Sequence, residues 1–300
     1  MYLAHFSLQQ APFALTPNTG FYVAVSSQQQ ALQMVLLALA EGEGFLKVVG
    51  EVGTGKTLLC RKVLHEAPAN WQLAYIPDPQ LTPEQLRWAL ALELGLQQSA
   101  NIDQHQLQHL LQRQLLLFAK AGRPVVLLVD EAQALPDDTL EALRLLTNLE
   151  TEQRKLLQVV LFAQPELDQR LASIRFRQLR QRITFSCQLS PLNQPEVKGY
   201  VQHRLQQAGS ALPLFSDAAL WLLSYYSRGI PRLVNLLAHK ALLLSYGKGL
   251  ASAGCWQVWQ AACDTEDVSA WRSDLLARMP VSWMLAACLL VWLFAGGTGQ

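Results

Sequence analysis

Short apolar runs punctuate the first two thirds of the chain at Phe45–Val49, Trp71–Ile76, Val125–Val129 and Val159–Ala163, with a weaker one at Ile183–Cys187. Runs of this length, bounded by turn residues and rich in Val, Leu and Ile, fit strands buried on both faces. Between them the apolar spacing turns helical, as at Leu32, Leu36 and Leu39 within Ser27–Ala40, after turns at Pro12 and Pro17. Thr82-Pro83-Glu84-Gln85 opens another helix with an N-cap threonine, a proline at the first position and a glutamine placed for a capping box. Strands alternating with helices predict parallel βαβ units and an α/β fold.

Beyond Pro191 the strand pattern stops. Pro195–Gly209, Ser216–Arg228, Pro231–Tyr246 and Trp256–Cys263 read as helices with leucine-rich or aromatic faces, an all-helical block without internal repeats. The last segment differs again: from Met279 to Gln300 no residue is charged, and Val281–Ala295 is almost wholly apolar. As a helix, Met279–Thr298 would be ~30 Å long, one hydrocarbon core. Arg272 and Arg278 precede it, and Trp283 and Trp292 fit the two interfaces. The expectation is a membrane anchor with the globular body on the cytoplasmic side; a packing helix or one docking on a partner is the other reading. The opening MYLAHFSLQQ lacks the basic-then-apolar pattern of a secretory signal.

Composition narrows the picture. Of the 300 residues, 51% are apolar and 16% charged, enough to bury a sizeable core and too apolar for a disordered chain. Lysine and arginine number 24 against 23 acids, so no whole-protein basic field favours nucleic acid. The five cysteines, Cys60, Cys187, Cys255, Cys263 and Cys288, have no zinc-ligand spacing and read as free thiols in a reducing compartment.

One stretch carries chemistry. Gly50-Glu51-Val52-Gly53-Thr54-Gly55-Lys56-Thr57 matches GxxxxGK[ST] at every fixed position and lies between a strand and a helix. Its glycines let successive N–H groups turn toward phosphate oxygens, helped by the helix N-terminus. Lys56 is placed for the β- and γ-phosphates of ATP, and the Thr57 hydroxyl for Mg2+. Val125–Val129 runs into Asp130 and Glu131, which a strand end delivers to the carboxyl edge of the sheet. Asp130 is expected in the Mg2+ shell, and Glu131 to orient and deprotonate the attacking water. His105 and His109 stand four apart on a helix, but no third ligand is near and a solvated face is the better reading.

The chain resembles the AAA+ ATPases of the ExeA/GspA type, above all those of MSHA-type pilus biogenesis. The likeness rests on Phe6-Ser-Leu, Ala11–Pro17, Gly44-Phe45, Gly50–Thr57, Leu161–Leu167, Leu179–Ile183, His203-Arg-Leu, Ala208-Gly209 and Gly229–Asn235, and covers most of residues 1–250. Ala163 departs from an expected glycine, and Gln29 and Gln30 from a usual histidine. The resemblance implies a P-loop fold of AAA+ type, with a five-stranded parallel sheet between helices and a C-terminal helical lid. Together with the reading of the apolar tail, the expected division is an N-terminal segment with the first helix (1–41), an ATPase core (42–190), the lid (191–263), a linker (264–278) and the membrane helix (279–298).

It also implies roles for single residues. Gln164 matches sensor 1, with a turn or capping residue as the plain reading. Arg182 matches an arginine finger that reaches a neighbouring subunit, with Arg177 and Arg180 as rivals. Arg232, held at a helix start by Pro231, matches sensor 2, against a surface ion pair. A finger acting in trans implies a homo-oligomer. The function so implied is ATP hydrolysis that supports assembly of a type IV pilus or a type II secretion (secretin) machine at the bacterial inner membrane, with proteins of that machine as partners. A DNA-binding ATPase regulator of the transposition type is the alternative, and an ATP-binding scaffold without turnover is disfavoured by an intact Glu131.

Overall fold

The computed structural model describes residues 2–14, 26–96, 103–150, 155–210 and 212–268. They fall into two compact units. One gathers the described residues between 15 and 192 with Ile230–Arg232; the other gathers those of 1–14, 193–229 and 233–268. The segment expected as 1–41 is therefore shared. Helix α1 (Tyr2–His5) belongs to the second unit and α2 (Ser26–Ala40) to the first.

In the first unit the elements run β1 (Phe45–Gly50), α3 (Lys56–Glu66), β2 (Gln72–Ile76), α4 (Pro83–Glu93), α5 (Gln104–Lys120), β3 (Val125–Val129), α6 (Asp137–Leu146), β4 (Gln158–Ala163), α7 (Pro165–Leu171), α8 (Arg177–Arg182) and β5 (Phe185–Leu189). All five strands are parallel, in the order β2-β3-β4-β1-β5. The sheet is read straight from side-chain alternation. Leu46, Val48, Val126, Leu128, Val160 and Phe162 face α2 and α3, packing on Val35, Leu39, Leu59 and Val63. Their neighbours Phe45, Leu127, Val129, Val159 and Leu161 face the opposite way, onto leucines of α4 to α8 such as Leu90, Leu111 and Leu143. Burying each of these side chains contributes about 1.5–3 kcal/mol. The sequence signal for β5 was weaker and lay two residues too early for the same reason: β5 is an edge strand whose Phe185, Ser186 and Gln188 are exposed.

The helix starts follow the local chemistry. Thr82 forms the expected capping box with Gln85, and Asp103 forms another with Gln106. Gln158, buried at the start of β4, donates from Nε2 to the carbonyls of Leu39 (2.8 Å) and Glu43 (3.0 Å), which closes the end of α2 against the sheet.

The second unit contains α9 (Gln194–Gln207), α10 (Asp217–Ser227), most of α11 (Pro231–Gly247) and α12 (Cys255–Cys263). The N-terminal segment docks here: the N–H of Gln9 donates to the Ala208 carbonyl at 2.8 Å, and Phe13 meets Phe215 edge-on. Inside, Arg204 Nη1 donates to the Tyr200 hydroxyl at 2.6 Å, which in turn donates to Asn235 Oδ1 at 3.1 Å. Among the described residues no helix is long and apolar enough to cross a membrane. The expected membrane helix at 279–298, and Cys288 with it, lies outside the described residues.

Candidate functional site

The loop between β1 and α3 curls because two of its glycines adopt the left-handed region, Gly53 at φ 84° and Gly55 at φ 99°. A Cβ on Gly50 would lie 2.6 Å from Thr54 Oγ1, and one on Gly55 would lie 2.6 Å from Gln28 Nε2. At Gly50 the crowding by Thr54 and Leu189 disfavours a side chain, and at Gly55 the positive φ does. Gly55 begins α3 without a side-chain cap, so the first N–H groups of the helix remain available to an anion. Two loop carbonyls are occupied by side chains: Thr54 Oγ1 donates to the Glu51 carbonyl at 2.8 Å within the loop, and Gln28 Nε2 from α2 to the Thr54 carbonyl at 2.8 Å. Glu51 and Val52, at the outer turn of the loop, are exposed.

Lys56 is 4% exposed, and its ammonium donates to the carbonyls of Gly50 (2.8 Å) and Glu51 (3.0 Å). Burial lowers its pKa, opposed by the charges of Glu131, Asp130, Glu51 and Glu166. Asp130 follows β3 directly and is 3% exposed. Burial raises its pKa, opposed by hydrogen bonds from the Thr57 hydroxyl and the Glu131 N–H (2.9 Å to Oδ1) and by the charge of Lys56. The loop lysine, the loop threonine and both acids are thus gathered at the carboxyl edge of β1 and β3. β4 stands between these two strands in the sheet. A curled loop running into an uncapped helix N-terminus, a buried cation and a hydroxyl–carboxylate pair form the donor set that a triphosphate with Mg2+ requires.

Glu131 sits beyond the strand end with φ 49°, unusual for a residue with a side chain. Gln164, the residue after β4, donates from Nε2 to Glu131 Oε2 at 3.0 Å. The sensor candidate and the expected base are therefore in contact. Arg232 belongs to the same compact unit as the loop, and its N–H donates to the Gly53 carbonyl at 3.2 Å. Its side chain is exposed. Arg182 is half-buried and Arg177 and Arg180 are exposed at α8; no described residue pairs with any of the three guanidiniums. Single-chain geometry does not choose among them. His105 and His109 are exposed on α5.

Sequence reasoning missed two residues. Gln28 supports the loop from α2, and Gln133 donates from Nε2 to Glu131 Oε2 at 2.5 Å. Adjacency to the Asp-Glu pair was the one available signal for Gln133. Gln28 offered none, since a glutamine in the first turn of a helix has many uses.

A family model described as an AAA domain matches residues 39–171, a span that contains the loop, both acids and Gln164. The general secretion pathway protein A of Aeromonas hydrophila is 39% identical over 299 residues, covering 99% of this chain and 55% of that protein. Residues 39–171 are an AAA domain, and the chain as a whole is similar to the general secretion pathway protein A. This AAA protein spans about half the length of that relative. Solved structures share the fold at low identity. Cdc6p from Pyrobaculum aerophilum superposes with a TM-score of 0.63 at 17% identity, over 93% of this chain and 74% of that one. The ORC1 protein of Aeropyrum pernix, solved in complex with DNA, gives 0.62 at 16%, over 97% and 78%.

Proposed function

We propose that this AAA protein binds ATP with Mg2+ at the phosphate loop, hydrolyses it, and uses the cycle to support assembly of a secretion-type envelope machine. The observation that carries the first part is the convergence of buried Lys56, the Thr57–Asp130 pair and Glu131 on one sheet edge. The loop N–H groups from Gly50 to Thr57, with Lys56, bind the phosphates. Mg2+ held by Thr57 and Asp130 would neutralise charge on the phosphate oxygens. Glu131 orients a water and takes its proton, and the Gln164 amide holds that carboxylate. Arg232 faces the nucleotide from the start of α11, and Arg182, ahead of its rivals Arg177 and Arg180, completes the site of a neighbouring copy in a homo-oligomer.

Likeness to the general secretion pathway protein A supports a secretion-related role. The finer reading is a type IV pilus of the MSHA kind, where the sequence resembles the pilus biogenesis protein MshM, or a secretin machine at the inner membrane. Residues 279–298 then tether a cytoplasmic ATPase to that membrane. The DNA-bound relative shares 16% identity, which speaks for fold alone. A net charge of +1 gives a DNA-binding reading no support.

A pull-down from solubilised membranes with Glu131→Gln, which keeps ATP bound, tests the role. Pilus or secretin components among the captured proteins support it; transposase or DNA would replace it with the regulator. Deleting residues 279–300 should release the protein from membranes, and a full chain that already fractionates as soluble refutes the tether.

A further inference from the structure

The hydrogen bonds behind Glu131 lead away from the phosphate loop, through residues that the proposed hydrolysis leaves without a role. Glu131 holds φ 49° and ψ 36°, a conformation that a residue with a side chain keeps only where its surroundings impose it. Gln133, in the single 3-10 turn Ala132–Ala134 that follows, makes three contacts. Its Nε2 donates to Glu131 Oε2 at 2.5 Å, its Oε1 accepts from the Gln164 N–H at 3.0 Å, and its carbonyl accepts from Arg170 Nη1 at 2.7 Å. Gln164 Nε2 donates to the same Oε2 at 3.0 Å. Both amides fall on one carboxylate oxygen. The carboxylate cannot turn about its last bond without breaking both, and Oε1 is the oxygen left to receive a proton.

The network continues outward. Arg170 Nη2 donates to the Leu135 carbonyl at 2.8 Å and to Asp137 Oδ1 at 2.5 Å. Asp137 Oδ2 accepts from Arg175 Nη1 at 2.9 Å, and Arg175 Nη2 donates to Asp138 Oδ1 at 2.6 Å. Arg175 lies in the turn Ile174–Phe176, which runs directly into α8 with Arg177, Arg180 and Arg182.

We infer that Gln133 is the positioning residue for Glu131, and that Arg170 makes its hold depend on the placement of the α7–α8 segment. The inference rests on the proposed hydrolysis and deepens it. A general base works only when its oxygen is aimed at the proton it takes, and small misplacement is costly in rate. A displacement of α8, as when its arginines engage another copy of the chain, reaches Gln133 through Arg175, Asp137 and Arg170. Base alignment and subunit contact then share one set of hydrogen bonds.

The test compares the full-length wild type with Gln133→Leu, Arg170→Met and the double variant, measuring kcat and KM for Mg-ATP, Kd for ADP and melting temperature. Each single change is expected to lower kcat about 10- to 100-fold while KM and Kd stay within about threefold. The double variant is expected to lose no more than the worse single, because both act through one chain of contacts. Gln133→Glu keeps the acceptor for the Gln164 N–H but turns a like charge toward Glu131; it is expected to lose at least as much kcat, and it gives the same comparison if the leucine variant fails to fold. A kcat within threefold of wild type in both Gln133 variants overturns the positioning role. Losses that multiply in the double variant overturn the link through Arg170. Glu131→Gln separates the two levels. If it turns over ATP like wild type, the hydrolysis reading fails and this inference with it; if it is inactive beside a normal Gln133→Leu, this inference alone fails.

Discussion

The backbone N–H of Arg232 donates to the carbonyl oxygen of Gly53 at 3.2 Å, which joins the start of α11 to the crest of the phosphate loop. The contact requires glycine. A Cβ on residue 53 would lie 2.7 Å from Arg232 Cβ and 3.1 Å from Ile230 Cγ2, on a backbone at φ 84°. Gly53→Ala is therefore expected to destabilise the protein by about 1–3 kcal/mol and to weaken nucleotide binding. Thermal unfolding with and without nucleotide checks this, and an unchanged melting temperature would show that the contact is dispensable.

Lys56 is buried and donates to two loop carbonyls, so its removal both frees those carbonyls and deletes the charge offered to phosphate. Lys56→Ala should weaken ATP binding about 10- to 100-fold, the scale of a charge-assisted hydrogen bond worth about 1.5–3 kcal/mol. Titration calorimetry reads it directly. Unaltered affinity would remove the site from this loop.

Asp130 gives a pH signature. Burial holds its carboxyl above the ordinary value of 3.8, so the folded chain keeps a proton that the unfolded chain has released. Between the ordinary and the raised value the unfolded state binds fewer protons, and stability falls as pH rises through that window. Above the raised value the loss is complete. Asp130→Asn removes this loss, so without nucleotide the variant should gain stability over wild type as pH rises from acid to neutral, while Mg-ATP no longer adds to it. Chemical denaturation across that range checks both signs. A gap that stays flat or closes with rising pH would refute the burial account.

Gln158 provides a change remote from the phosphates. Gln158→Leu takes the side-chain donor from the carbonyls of Leu39, which keeps the Gly42 N–H, and of Glu43, at about 1–3 kcal/mol for the acceptor left unsatisfied. Denaturant unfolding should report that loss with nucleotide affinity unchanged; a full-stability variant would mean that those carbonyls find other partners.

The strands were legible because burial on both faces writes itself as unbroken apolar runs, as in Val125–Val129, all five of whose residues are buried. Phe185–Leu189 was blurred by its place at the sheet edge, where exposed positions accept Ser186 and Gln188. The loop and the acids were legible because their chemistry fixes residue type and spacing together. The helical unit was legible as helices, but its union with residues 1–14 was not, since Gln9 meets Ala208 through backbone groups that any sequence carries. Gln28 and Gln133 act by a side-chain amide whose direction only the fold supplies. The arginines of α8 remain three candidates because what they would touch belongs to another copy.

The central claim, that the two acids and the loop form one hydrolytic site, is tested most directly by Mg-ATP binding and turnover in Glu131→Gln. The account predicts affinity within about threefold of wild type and turnover lowered by about 100-fold or more, the scale of a lost general base. Hydrolysis at the wild-type rate by that variant would contradict it.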